Sequence, residues 1–482
     1  MNDLGYKLLV DKTLKRRVNI LSKLSETPYP VSLEVIRKLS NSSIITLQSD
    51  IKYLIETFPN DFCLEEFNNS QSLCKLNTCR TISYHMNFLI RDSPLFFIIE
   101  NLFNGKKENL SYYTDNLFIA ESTLRKYLNT LKEVLKDYHL TLSLNPLELI
   151  GKEINVRYFY FHYFRYSHTN ELAEVMDAHI NSTYKILREL AFNYDLGLNI
   201  DYYRIVSWTL IIEKRISQGH YISFPQEVFN KFRYMTSFIK FNSSIKEHFK
   251  KLNYWPNLAN AEILFAYLLR LDSIIYEDNK KYFTDDFFDY LKEYDNLTTS
   301  FFSNINLNIA LNIPLKTILQ AYLTNLSALT SISPMFQKNH AQLKLIVEQD
   351  HPKILKIWTD LLLESGQFEY PYDVSVSLTL LSVSHLNTHH SVLFALTGEP
   401  SSLTYYKNRA LKCVPKDMTV IFLFNKPLSN ELLEQMSINI CVSNLSPSKR
   451  LLNSHHFRLS DIPLNSEWSE LQDFLHSYKA QI

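Results

Sequence analysis

Between Ile119 and Lys136 the chain reads IAESTLRKYLNTLKEVLK, with apolar Leu124, Leu128, Leu131 and Leu135 spaced four, three and four residues apart. That spacing places them on one stripe of a helix and leaves Arg125, Lys126, Asn129 and Lys132 on the other faces. Ser122 stands where a side-chain oxygen can cap the first turn. The same pattern occurs upstream in NSSIITLQSDIKYLIETF, where Leu47, Ile51, Leu54 and Phe58 each precede their counterpart by 77 residues. Each copy follows a short amphipathic segment, VSLEVIRKLS or LSYYTDNLFI, and a turn of about three or four residues, as a helix-turn-helix requires. A further helix precedes each pair, RRVNILSKL and SPLFFIIENLF. An alternating passage with Asn/Ser or Asn-Pro at its turn follows each, DFCLEEFNNSQSLCKL and YHLTLSLNPLELIG, and reads as a hairpin. The pattern therefore predicts two winged helix-turn-helix units, over 1–80 and 81–165.

One amphipathic helix alone reads more readily as an ordinary solvated face. In a winged helix, however, the third helix packs its stripe on the other two and turns its polar face to the DNA major groove, while the hairpin touches backbone. The candidate DNA contacts are then Thr46, Gln48, Ser49, Lys52 and Tyr53 in the first unit. In the second they are Ser122, Thr123, Arg125, Lys126 and Asn129, with Lys132 and Lys136 at phosphates. Arg can pair bidentately with guanine and Gln with adenine, each pair contributing about 1–3 kcal/mol of discrimination. The faces hold few long readers and several short hydroxyls, which suits backbone contact and readout of DNA shape.

From about Val156 to Leu386 the periodicity is helical throughout, broken at Pro225, Pro256, Pro314 and Pro334. NIDYYRIVSWTLIIEKRISQGHYI and NIPLKTILQAYLTNLSALTSIS look like equivalent starts, each followed later by a long apolar helix, NAEILFAYLLRLDSII and YDVSVSLTLLSVSHL. Two tandem five-helix domains are expected, over 166–288 and 289–388. Beyond them SVLFAL, MTVIFLF and INICVS read as buried parallel strands, with LTYYKNRALKC and NELLEQM as helices between, a small α/β domain over 389–482. The whole reads as a mainly α, multidomain chain.

Composition narrows the function. The 482 residues carry 50 basic and 50 acidic side chains, so indiscriminate coating of nucleic acid is not indicated. Charge is local: Lys12 to Lys52 holds eight Lys or Arg against three acids, including Arg16 and Arg17, either a phosphate grip or a solvated face. The seven glycines form no G-x-G or G-x-x-x-x-G-K pattern, and no G-x-S-x-G or H-E-x-x-H motif occurs, so an enzyme and a nucleotide cofactor are not expected. Five cysteines form no C-x-x-C pair, and His385, His389 and His390 have no carboxylate or Cys set beside them, so no metal is expected. A secretory leader and a run of roughly 18 apolar residues are both missing, which suggests a cytoplasmic protein with no membrane partner.

The order of parts resembles the Mga/AtxA-type global transcriptional regulators of Gram-positive cocci and bacilli, with the nearest likeness to an enterococcal member. The most specific stretch is the exit from the second unit, ESTLRKYLNTLKEVLKDYHLTLSLNPLELIGKEINVRYFYFHYF. Its G-x-E-x-x-x-R-x-F ending (Gly151, Glu153, Arg157, Phe159) resembles the family's passage into its helical region. The resemblance implies two regulation domains of the kind controlled by the sugar phosphotransferase system, and a terminal domain similar to its enzyme IIB. Where such domains carry phosphorylatable histidines this chain has Trp208 and Leu269, and in the second domain Leu381 with His385 one turn on. Neither indole nor alkyl can accept a phosphoryl group. His220 and His385 are the remaining candidates for phosphorylation. SVLFALTGEPSS lacks the nucleophilic cysteine of a working enzyme IIB, so the terminal domain is expected to serve contact and dimerisation.

The leading expectation is a regulator that binds promoter-region double-stranded DNA with modest sequence specificity and responds to carbohydrate or nutrient state. It would act as a homodimer or higher oligomer through the C-terminal region, with RNA polymerase and phosphotransferase-system proteins as partners. The alternative is a protein-binding signalling module of that system, kept open by 20 basic against 18 acidic residues in the first 160. An RNA-binding antiterminator is disfavoured, since its short β-rich head is missing.

Overall fold

A computed structural model describes residues 3–26, 31–40, 43–67, 70–76, 80–91, 93–167, 198–252, 259–277, 281–305, 312–385, 391–415, 418–426, 438–444 and 455–480, with positions 307, 309, 428 and 433. The described residues are mostly helical and divide into two compact units, 1–384 and 385–482.

The first unit opens with α1 (Asp3–Lys7), α2 (Lys12–Glu26), β1 (Val31–Ser32), α3 (Leu33–Ser40) and α4 (Ile44–Thr57). An antiparallel hairpin, β2 (Phe62–Phe67) and β3 (Ser70–Lys75), follows, and β1 pairs with β3 to give the order β1-β3-β2. After α5 (Ile82–Ile90) the plan repeats as α6 (Pro94–Phe103), α7 (Leu110–Leu117), α8 (Glu121–Lys136) and the hairpin β4 (Thr141–Leu144) with β5 (Leu147–Ile150). Both predicted stripes are realised: Leu47, Ile51, Leu54 and Phe58 on α4, and Leu124, Leu128, Leu131 and Leu135 on α8, are all buried. Full burial of one such side chain contributes about 1.5–3 kcal/mol, which is what orients each helix.

The cap at α8 differs from expectation. The helix begins at Glu121, its N-cap is Ala120 with no side-chain bond, and Ser122 already lies inside the first turn. Glu121 instead puts an acid near the positive end of the helix dipole. In α4 the cap is Ser43, whose oxygen accepts from the Thr46 N–H at 3.2 Å.

From α9 (Glu153–Ser167) the unit continues through helices Tyr202–Ser217, Gln226–Phe232, Thr236–Leu252 and Asn260–Asp272, then 3-10 turns over Asp285–Tyr294 and the helix Asp295–Asn304. Helices Ile313–Thr330, Ala341–Asp350, Pro352–Ser365 and Pro371–His385 complete it. Two buried tryptophans anchor the set: Trp208 stacks on Phe161 at 4.1 Å and Trp358 on Phe301 at 4.2 Å.

The second unit is a parallel sheet in the order β7-β6-β8-β9, from β6 (Ser391–Leu396), β7 (Thr419–Phe424), β8 (Ile440–Ser443) and β9 (His455–Arg458). Helices Pro400–Cys413 and Asn465–Ala480 contribute Tyr406, Trp468 and Leu471 to the core on the side of Val392 and Phe394. The fourth strand, HHFR, was not expected, because a short polar edge strand carries no apolar run to announce it. The predicted helix NELLEQM lies outside the described residues except for Leu433.

Candidate nucleic-acid interface

The outward faces of α4 and α8 are open to solvent. On α8, Ser122, Arg125, Lys126, Asn129 and Lys136 are exposed, and Thr123 and Lys132 are half-buried beside the stripe. Arg125 reaches back to Glu121, Nε donating at 2.8 Å, and Lys136 pairs with Glu133 at 2.7 Å. These are short-range pairs between exposed groups, worth well under about 1 kcal/mol, so a phosphate can displace them. On α4, Gln48, Ser49, Lys52 and Tyr53 are exposed, while the Thr46 hydroxyl is held 2.8 Å from Ser43 Oγ. Lys52 lies 3.8 Å from Glu56.

Arg16 and Arg17 are used differently from a simple phosphate grip. Both converge on Asp50 of α4, which is only 1% exposed. Arg16 donates to it from Nε and from Nη2 (3.1 Å), Arg17 from Nε at 3.0 Å, and the Arg17 guanidinium lies 3.5 Å over the Tyr53 ring. The hydrogen bond to Asp50 raises the Arg16 pKa above its ordinary value. A buried carboxylate needs such partners, so the two cations lock α2 to α4.

Two exposed apolar residues at these faces were missed by the sequence reading. Ile45, in the first turn of α4, is 76% exposed, and Phe118, in the turn before α8, is 94% exposed at φ +52°. A periodic pattern treats any apolar residue as core, so nothing in it singles these out. Also unforeseen is a grouping on the first hairpin, where Cys63 stands opposite Cys74 with Glu65 on the same face. Burial first, then Glu65, pushes both thiols up, Cys74 to about 11.

The G-x-E-x-x-x-R-x-F residues join the second helix-turn-helix to the helices behind it. A side chain at Gly151 would meet Leu140 Cδ2 at 2.5 Å and the His139 carbonyl at 3.2 Å, so a larger residue would have to shift the buried Leu140 and crowd the turn after α8. Glu153 accepts from Arg157 at 3.0 Å and from Arg215 at 2.9 and 2.8 Å. Burial alone would raise the Glu153 pKa, but Arg215 and Arg157 overcome it and hold the carboxyl below its usual range. Fully buried Arg157 forks onto Glu262 at 2.7 and 2.9 Å and donates to the His220 carbonyl at 3.0 Å. The end of α8 is gripped too: Lys338 donates to the Asp137 carbonyl, and the Tyr370 hydroxyl lies 3.1 Å from His139 Nε2.

His220 is half-buried just past helix Tyr202–Ser217, where burial and then Arg215 lower its pKa. His385 closes the helix Pro371–His385, whereas His389 and His390 lie outside the described residues. Trp208 and Leu269 are buried core residues, and the indole N–H donates to Asp272 at 2.8 Å. Cys413 and Cys441 are buried, and burial lifts the Cys441 thiol to about 12. No helix among the described residues is long and apolar enough to cross a membrane.

A doubled three-helix unit with a solvent-facing third helix is a helix-turn-helix architecture. Residues 79–164 match the family model described as the Mga helix-turn-helix domain. Among curated proteins the chain is similar to the capsule synthesis positive regulators AcpA and AcpB of Bacillus anthracis. AcpA is 21% identical over 45% of each chain, and AcpB 22% over 50% of this chain and 48% of its own. A Streptococcus pneumoniae serotype 4 protein whose name proposes trans-acting regulation is 22% identical over 46% of this chain and 45% of its own. Residues 79–164 thus carry a Mga-type helix-turn-helix domain, and the chain is similar to regulators of the Mga/AtxA kind. It spans about half the length of the curated relatives it matches.

Proposed function

We propose that the protein is a transcriptional regulator that binds double-stranded promoter DNA through α8 and α4, with the hairpins as wings on the backbone. The observation that carries this reading is the doubled plan itself: two third helices with the same buried stripe and an outward face left open at corresponding positions. Arg125, Lys126 and Asn129 supply the main grip, with Lys132 and Lys136 at phosphates. Gln48, Ser49, Lys52 and Tyr53 supply a second contact, which Arg16 and Arg17 shape by holding α4 in place. Few long readers stand on either face, so DNA shape contributes much of the selectivity. Two phosphotransferase-type regulation domains, an enzyme IIB-like C-terminal domain used for self-association, and a response to carbohydrate state complete the proposal, which places the protein in the cytoplasm.

The test is binding of the purified chain to a few-hundred-base-pair curved promoter fragment across a salt series, beside an Arg125→Ala/Lys126→Ala variant. The expected result is a steep salt dependence that falls by about two charges' worth in the variant, with affinity reduced at least tenfold at moderate salt. Equal, weak binding by both proteins would overturn the reading. The second reading, a protein-docking module, is favoured specifically by the exposed Ile45 and Phe118, and would then take its place.

Regulation by phosphorylation has its own check. With the phosphotransferase carrier protein and a labelled phosphoryl donor, label that enters the native chain and is lost in His220→Ala or in His385→Ala assigns the switch to that histidine. A chain that takes up no label above background has no such switch.

A further inference from the structure

We propose that Cys63, Glu65 and Cys74 form a binding site for a thiophilic divalent cation, zinc being the representative ion. Cys63 and Glu65 are two residues apart on β2, so their side chains leave the same face of the hairpin. The register sets Cys74 of β3 directly opposite Cys63, which brings the second sulfur to that face. Cys63 Sγ lies 3.7 Å from one Glu65 carboxylate oxygen and Cys74 Sγ 3.6 Å from the other. All three donor groups fall within 4.8 Å of one another. Around a tetrahedral zinc, with Zn–S about 2.3 Å and Zn–O about 2.0 Å, neighbouring donors stand about 3.5–3.8 Å apart. The two sulfur–oxygen distances already have that length, each to a different Glu65 oxygen, so a small turn of the carboxylate would bring one oxygen to both sulfurs.

The donor chemistry narrows the ion. Two thiolates with one carboxylate suit zinc and cations of similar softness, while magnesium and calcium require oxygen throughout. Three protein ligands on an exposed hairpin leave the fourth position to water. Binding breaks two S–H bonds, forms two metal–sulfur bonds and one metal–oxygen bond, and releases two protons to solvent, with no oxidant involved. Three potential anions so close together repel one another unless they keep their protons or share a cation. This argument is independent of DNA binding, although an ion there would brace the hairpin that follows α4.

The experiment uses the full chain, reduced and stripped by a chelator, titrated with cobalt(II) and then with zinc(II). Expected is a thiolate-to-cobalt charge-transfer absorption that saturates at one equivalent and is displaced by zinc. It is lost in Cys63→Ser and in Cys74→Ser and is unchanged in Cys413→Ser. The exposed change Glu65→Gln, which leaves the hairpin core untouched, weakens affinity about tenfold or more. Absence of the absorption from the unaltered chain, or its survival in Cys63→Ser, overturns the site. So does closure of Cys63 and Cys74 into a disulfide in protein that takes up no cobalt while reduced.

Discussion

Arg157 shows how much one side chain can hold. It is wholly buried, yet its guanidinium is paired with Glu262 and Glu153 and donates to a carbonyl, so burial leaves little of its charge unmatched. Removing one member of such a set leaves the other charge buried and alone, so Arg157→Ala is expected to lose about 3–5 kcal/mol in denaturant unfolding. Glu153 adds a pH dependence of defined sign. Its folded pKa is depressed, so its stabilisation is complete above the ordinary glutamate value and disappears as pH falls through the folded one. Thermal unfolding of the native chain and of Glu153→Gln should therefore differ most near neutrality and converge in acid. A gap that widens in acid would contradict the assignment.

At the scale of elements, the stripes on α4 and α8 were legible because a helix repeats its facing every 3.6 residues and the two copies confirm each other. Leu128→Ala, at a fully buried position, is expected to cost about 2–5 kcal/mol, and Asn129→Ala next to it under about 0.5 kcal/mol, measured by chemical denaturation. Near-equal losses would mean that α8 is not packed as described. Other features could not be read from spacing. Cys63 and Cys74 meet only because of strand register, and register is fixed by the hairpin and core, not by the interval between the residues. The destination of Arg16 and Arg17 was hidden for a similar reason, since Asp50 stands at the edge of the apolar stripe of its helix and spacing alone does not say which neighbour that edge meets; in the fold it faces α2. Motif position told that Glu153 and Arg157 matter; only the packing shows that their task is a clamp.

For the molecule as a whole, the helical first unit and the parallel-sheet second unit follow the change in texture of the sequence near His390, with the division falling at His385. What the sequence withheld there was β9, an exposed edge whose polar residues give no alternating signal. The doubling of the N-terminal plan carries a further meaning. A pair of like readers would present the same surface twice, but Gln48, Ser49 and Lys52 in one correspond to Arg125, Lys126 and Asn129 in the other. Two unlike surfaces joined in a fixed covalent order give a single chain a head and a tail. On the proposed function, a promoter also has an upstream and a downstream side, so one subunit, without a partner to break symmetry, would have the means to lie on it in one direction and not the other.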